Sequence, residues 1–148
     1  MQQPDRGGAR APHDLTVTEA RQALARGDFS CREYAQALIA REQAARSLNA
    51  LSATDPDALL AAADAADRKG WAKDPALALA GIPVALKDSI DTTALPTTGC
   101  TGALAGRRPQ RNAPVAQALF DAGALLAGKA NMHELAFGIT CNNAVTGA

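Results

Sequence analysis

The sequence predicts an α/β fold with N-terminal helices followed by a βαβ unit. Three observations carry this: two successive capping boxes near the start, two short apolar runs in the second half, and a helical stretch between those runs. The first box is Thr16-Val-Thr-Glu19, in which the Thr oxygen and the Glu carboxylate each satisfy an exposed backbone N–H of the other. Ala20, Ala23 and Leu24 then share one helical face, and Gly27 supplies the stop. The second box, Ser30-Cys-Arg-Glu33, has Phe29 and Tyr34 at staple positions and opens a helix expected to turn Tyr34, Ala37, Leu38 and Ala45 inward.

Residues 49–54 alternate weakly and read as a short strand. Asp55-Pro56 places an N-cap and a first-turn proline ahead of an alanine-rich helix ending at Gly70. Acidic Asp57 early and basic Arg68 and Lys69 late suit the helix dipole. Gly81-Ile-Pro-Val-Ala-Leu86 is a near-continuous apolar run with its proline near the start, as a buried strand tolerates. Residues 91–111, rich in Thr, Gly and Pro, lack periodicity and read as a long loop, a class often functional. Asn112-Ala-Pro114 opens a helix closed by Gly123, and Ala124-Leu-Leu-Ala127 is the second buried strand. Strand, helix, strand implies parallel pairing.

Composition narrows the function. The 148 residues hold 15 basic and 15 acidic side chains, a formal net charge of zero, and aromatics make up 3%. Neither a basic stripe for a phosphate backbone nor a stacking platform for single strands is present, so no nucleic-acid partner is expected. No apolar run approaches the roughly 20 residues of a membrane span, so no membrane is expected either. Cys31, Cys100 and Cys141 are odd in number and widely spaced, which fits neither a disulfide framework nor a zinc site. A cytoplasmic setting follows as the expectation. Residues 1–14, polar with Gly and Pro, are expected to form a flexible leader to a domain that starts at Leu15.

Among chemistry-bearing residues, Lys87 stands out because it directly follows the first apolar strand. An amine held there, out of water, has a lowered pKa and can accept a proton at neutral pH. The bland reading is a lysine that snorkels from a strand end. Gly123-Ala-Leu-Leu-Ala-Gly128-Lys129 has P-loop spacing, but Ala130 stands where the magnesium-binding hydroxyl belongs and the interior is an apolar strand; nucleotide binding is rejected. His133-Glu134 lacks the second histidine of a metalloprotease motif, which would fall at Phe137, so no metal is expected.

Three blocks carry a resemblance: Gly81-Ile-Pro-Val-Ala-Leu-Lys87-Asp88, then Leu95-Pro-Thr-Thr98-Gly, then Asp121 through Gly138 (DAGALLAGKANMHELAFG). Their order and spacing resemble the amidase signature family, over about Leu15 to Ala148, and the run from Asn131 to Gly147 is most similar to indoleacetamide and mandelamide hydrolases. The resemblance implies a mixed central sheet flanked by helices, no cofactor, and hydrolysis of a small, aryl carboxamide by a Ser–cis-Ser–Lys triad. It implies Lys87 as the catalytic base and Asn131 and Met132 as substrate-binding residues. It also implies a nucleophilic Ser and a Gly-Gly-Ser-Ser-Gly-Gly block, for which residues 1–148 hold no counterpart. The chain therefore reads as the N-terminal portion of one incomplete amidase domain, expected to be inactive alone and to form a homodimer at full length. The rival readings are a non-catalytic truncated product or interaction module, and the amidotransferase subunit that works on misacylated tRNA.

Overall fold

The computed structural model describes residues 10–147. Both capping boxes form as the sequence predicts. Thr16 caps α1 (Val17–Arg26), Gly27 closes it at φ +79°, and Ser30 caps α2 (Cys31–Ala44) with Glu33 reciprocating. The Phe29 and Tyr34 rings stack with centroids 5.4 Å apart. The inward face of α2 differs from the expected one. Cys31, Tyr34 and Ala35 are buried, whereas Ala37, Leu38 and Ala45 are only half-buried, because α3 (Pro56–Arg68) packs near the start of α2. Asp67 of α3 shows this: its carboxylate accepts from the Cys31 and Arg32 amides at 2.8 and 3.0 Å, two donors that the helix itself leaves unpaired.

Residues 1–9 of the expected leader lie outside the described residues; in its remainder Pro12–Asp14 forms a 3₁₀ turn and Arg10 reaches Glu19 at 2.8 Å.

A three-stranded mixed sheet follows, built from β1 (Leu51–Ala53), β2 (Pro83–Lys87) and β3 (Leu125–Ala130) in the order β1–β3–β2. β2 and β3 run parallel, joined through α4 (Pro114–Asp121), and β1 pairs antiparallel with β3. The core lies between the sheet and α1, α2 and α3 (Pro56–Arg68), where Leu24, Leu59, Ala63, Ile82 and Leu125 meet. Alanine is the main filler on the helices, so close backbone approach replaces large side chains. No helix among the described residues is long and apolar enough to cross a membrane.

The second apolar strand does not stop at Ala127 but runs on through Gly128, Lys129 and Ala130. Gly128 permits this: a Cβ there would stand 2.8 Å from the Ala53 carbonyl oxygen of β1. The turn into β3 is equally tight. Gly123 holds φ +92°, and a Cβ would fall 2.8 Å from the Ala80 Cα. Gly123→Ala is expected to cost roughly 2–4 kcal/mol, combining left-handed strain with a clash against backbone that cannot give. A lower urea midpoint at unchanged slope would register it, and an unaltered midpoint would contradict the geometry.

Candidate active site

Alternation along β2 sets the site. Leu86 and Asp88 turn to the covered side and are buried, whereas Ala85 and Lys87 face the other way and are exposed. Lys87 is thus not the desolvated amine that its position after an apolar run suggests. Among the described residues β2 pairs only with β3, which leaves it at a sheet edge.

The amine removed from water is Lys129, on the adjacent strand. It is 0% exposed. Its Nζ donates to the Ile90 carbonyl at 2.5 Å and to Thr97 Oγ1 at 2.7 Å, and lies 4.0 Å from Asp88 Oδ1. Burial pushes its pKa below the ordinary lysine value, and the Asp88 and Asp91 carboxylates oppose that shift. The apolar run alone ends the strand before this residue. A bulge at Ala127 interrupts the alternation just before it, so no local pattern marks this lysine as inward-facing.

Asp88 organises the chain beyond Lys87. Its backbone N–H continues the ladder to the Ala130 carbonyl at 3.1 Å, and its own carbonyl accepts from Gly99 at 3.0 Å. Its carboxylate accepts from the Thr98 hydroxyl at 2.5 Å and from the Thr98 and Cys100 amides at 3.2 Å each. The long loop predicted for residues 91–111 is present apart from a 3₁₀ turn at Gly102–Leu104, and these bonds fold its Thr-rich start back against the strand ends.

In front of that loop lies an open cleft of about 720 Å³ whose walls include Asp91, Thr97, Arg107, Arg111, Met132 and Leu135. Arg107 grips Asp91 with both guanidinium arms at 2.6 and 2.7 Å, which holds that carboxyl below its usual range. Met132 reaches the cleft wall though it is nearly buried. Asn131 is half-buried and its amide is engaged by the protein. Its Oδ1 accepts from Met132 N, Thr146 Oγ1 and Asn143 Nδ2 at 2.8, 2.7 and 3.1 Å, and its Nδ2 donates to the Asn49 carbonyl at 3.1 Å. The structure therefore brings Met132, but neither Asn131 nor Lys87, to the cleft lining.

The P-loop-like run forms β3 rather than a phosphate cradle, with Lys129 aimed into the interior. His133 leads into a 3₁₀ turn (Glu134–Ala136), its ring 3.4 Å from the Thr140 hydroxyl. Among the described residues no three His, Cys, Asp or Glu side chains gather as metal ligands do.

Residues 33–148 match the Amidase family. The indoleacetamide hydrolase of Rhizobium radiobacter is 47% identical over 133 residues, covering 90% of this chain and 28% of that protein. From Chloroflexus aurantiacus, a glutamyl-tRNA(Gln) amidotransferase subunit is 45% identical over 132 residues, 88% of this chain and 27% of its own. The native peptide amidase structure from Stenotrophomonas maltophilia superposes with a TM-score of 0.81 at 29% identity, over 90% of this chain and 29% of that one. The chain spans little more than a quarter of the length of the relatives it matches. With a family match over residues 33–148, 47% identity to one member and a fold that superposes on a peptide amidase, the chain belongs to the Amidase family.

Proposed function

We propose that this chain is the N-terminal portion of a single-domain hydrolase that cleaves a small aryl carboxamide, with Lys87 as the triad lysine. In this reading Lys87 takes a proton through a bridging serine, so that a nucleophilic serine attacks the amide carbonyl. An acyl-enzyme forms, ammonia or an amine leaves, and water releases the acid. Both serines belong to sequence beyond these 148 residues, so the 148-residue chain alone does not turn over. The observation that carries the reading is the placement of Lys87. It stands exposed at the end of β2, with the residue after it anchored in the interior. An amine so presented is held by its backbone yet free to meet groups from another part of a longer protein.

Met132 is assigned to the wall of the acyl pocket and Asn131 to holding that wall in place, as its saturated amide supports. The three thiols are free, which suits a reducing cytoplasm. A second reading, an amidotransferase subunit working on misacylated tRNA, draws on the 45% identity to such a subunit. The zero formal net charge favours the small-molecule substrate.

A chimera tests this. Residues 15–147 replace the matching stretch of the Rhizobium radiobacter indoleacetamide hydrolase, and the product is assayed with indoleacetamide. Hydrolysis within about tenfold of the parent enzyme is the expected result, equivalent to a barrier change under about 1.4 kcal/mol. A folded chimera that hydrolyses no carboxamide would overturn the proposal.

A further inference from the structure

We infer that Lys129 and Asp88 form a buried positioning pair that fixes the end of β2, and with it Lys87, by tying the start of the long loop to β3. The inference rests on the reading of Lys87 as the triad lysine. Two side chains that are almost wholly buried, 0% and 1% exposed, collect their partners from one short stretch of chain. The Lys129 amine holds Ile90 and Thr97, and the Asp88 carboxylate holds Thr98 and Cys100. The two heads meet at 4.0 Å. Residue 87 therefore lies between two anchored neighbours: Leu86 in the core and Asp88 at the centre of the knot.

Each partner needs the other. A buried carboxylate without its counter-charge is strongly destabilised, and so is a buried ammonium without its carboxylate. Losing either head removes several loop bonds at once, because Ile90 and Thr97 meet at the Lys129 amine and Thr98 and Cys100 meet at the Asp88 carboxylate. Both side chains lie on the opposite face of β2 and β3 from Lys87. They act on the reaction through backbone placement, so they are positioning residues rather than catalytic ones.

The pair is tested in the 148-residue chain by amide hydrogen exchange and in the chimera by kinetics. In Lys129→Met the Thr98, Gly99 and Cys100 amides are expected to exchange at least tenfold faster, while amides in α1–α3 keep their rates. Thr98→Val removes one hydroxyl from Asp88 with little change of shape. It serves as the milder variant, expected to shift the same amides in the same direction, and it decides the matter where Lys129→Met does not fold. In the folded chimera Lys129→Met lowers kcat by ten- to a hundredfold with KM within about twofold. The double variant Asp88→Asn/Lys129→Met, which carries no charge but keeps an acceptor for the loop amides, recovers most of that loss. Unchanged loop protection in both single variants would overturn the inference, as would a folded Lys129→Met chimera with unaltered kcat. If the unsubstituted chimera hydrolyses nothing, the functional reading fails while the exchange experiment still decides whether the knot exists.

Discussion

Lys87→Ala in the active chimera is expected to lower kcat/KM for indoleacetamide by about 10³-fold, with no measurable change in stability. The two halves of that expectation have separate physical grounds. A positioned proton acceptor supplies on the order of 10²–10⁴ in rate, and a methyl group cannot take its place. The Lys87 side chain is exposed in this chain, and exposed substitutions away from caps and networks stay within about 0.5 kcal/mol. Lys87→Arg sharpens the test. Arginine keeps the charge and approximate length, but its guanidinium stays protonated and cannot accept the serine proton, so it should be as inactive as alanine. Activity retained within tenfold in the arginine variant, with circular dichroism matching the parent, would show that the position contributes charge rather than proton transfer.

The contrast between Lys87 and Lys129 shows where sequence reading stops. The helices are legible because their determinants are local: Thr16 with Glu19, Ser30 with Glu33, and Asp55 accepting from the Ala58 amide all lie within one turn. The βαβ unit is legible because β2 and β3 are apolar runs on either side of a helix, and their parallel pairing follows from the connection. Which residues at the end of β2 are covered cannot be read, since alternation names two faces without saying on which one the 90–100 loop folds back. The apolar run therefore suggests a desolvated Lys87, when the covered residue is Asp88, its neighbour. Lys129 carries no such local mark. Its partners, Ile90 and Thr97, lie more than thirty residues away and are a backbone carbonyl and one hydroxyl, neither signalled by spacing. Asn131 has the same character. Its bonds to Asn49, Asn143 and Thr146 make it a hub only once the chain is folded.

Alkaline titration offers a measurement of the core that needs no substrate. Burial, reinforced by the Asp67 carboxylate beside it, pushes the Cys31 thiol up from an ordinary 9.0 to about 12. Below pH 9 the thiol is protonated whether the chain is folded or not, and it contributes nothing to the pH dependence. Between about 9 and 12 the unfolded chain gives up this proton while the native chain keeps it, so the native state binds more protons and stability falls as pH rises. The slope is about 1.4 kcal/mol per pH unit, or roughly 2 kcal/mol by pH 10.5. Tyr34, raised by burial, adds a loss of the same sign at higher pH. Lys129 acts in the opposite sense: its lowered pKa means that the native chain releases a proton first, which favours folding as pH climbs toward the ordinary lysine value. The raw profile of the wild-type chain mixes these contributions, and Cys31→Ala separates them. Its truncation cost is the same at every pH, so the difference between the two urea-derived stabilities isolates the thiol. That difference is expected to hold constant from pH 7 to about 8.5 and then to shrink by roughly 2 kcal/mol by pH 10.5. Parallel profiles across the range would mean that the Cys31 thiol is hydrated, and the packing of α2 against α3 at Asp67 would have to be redrawn.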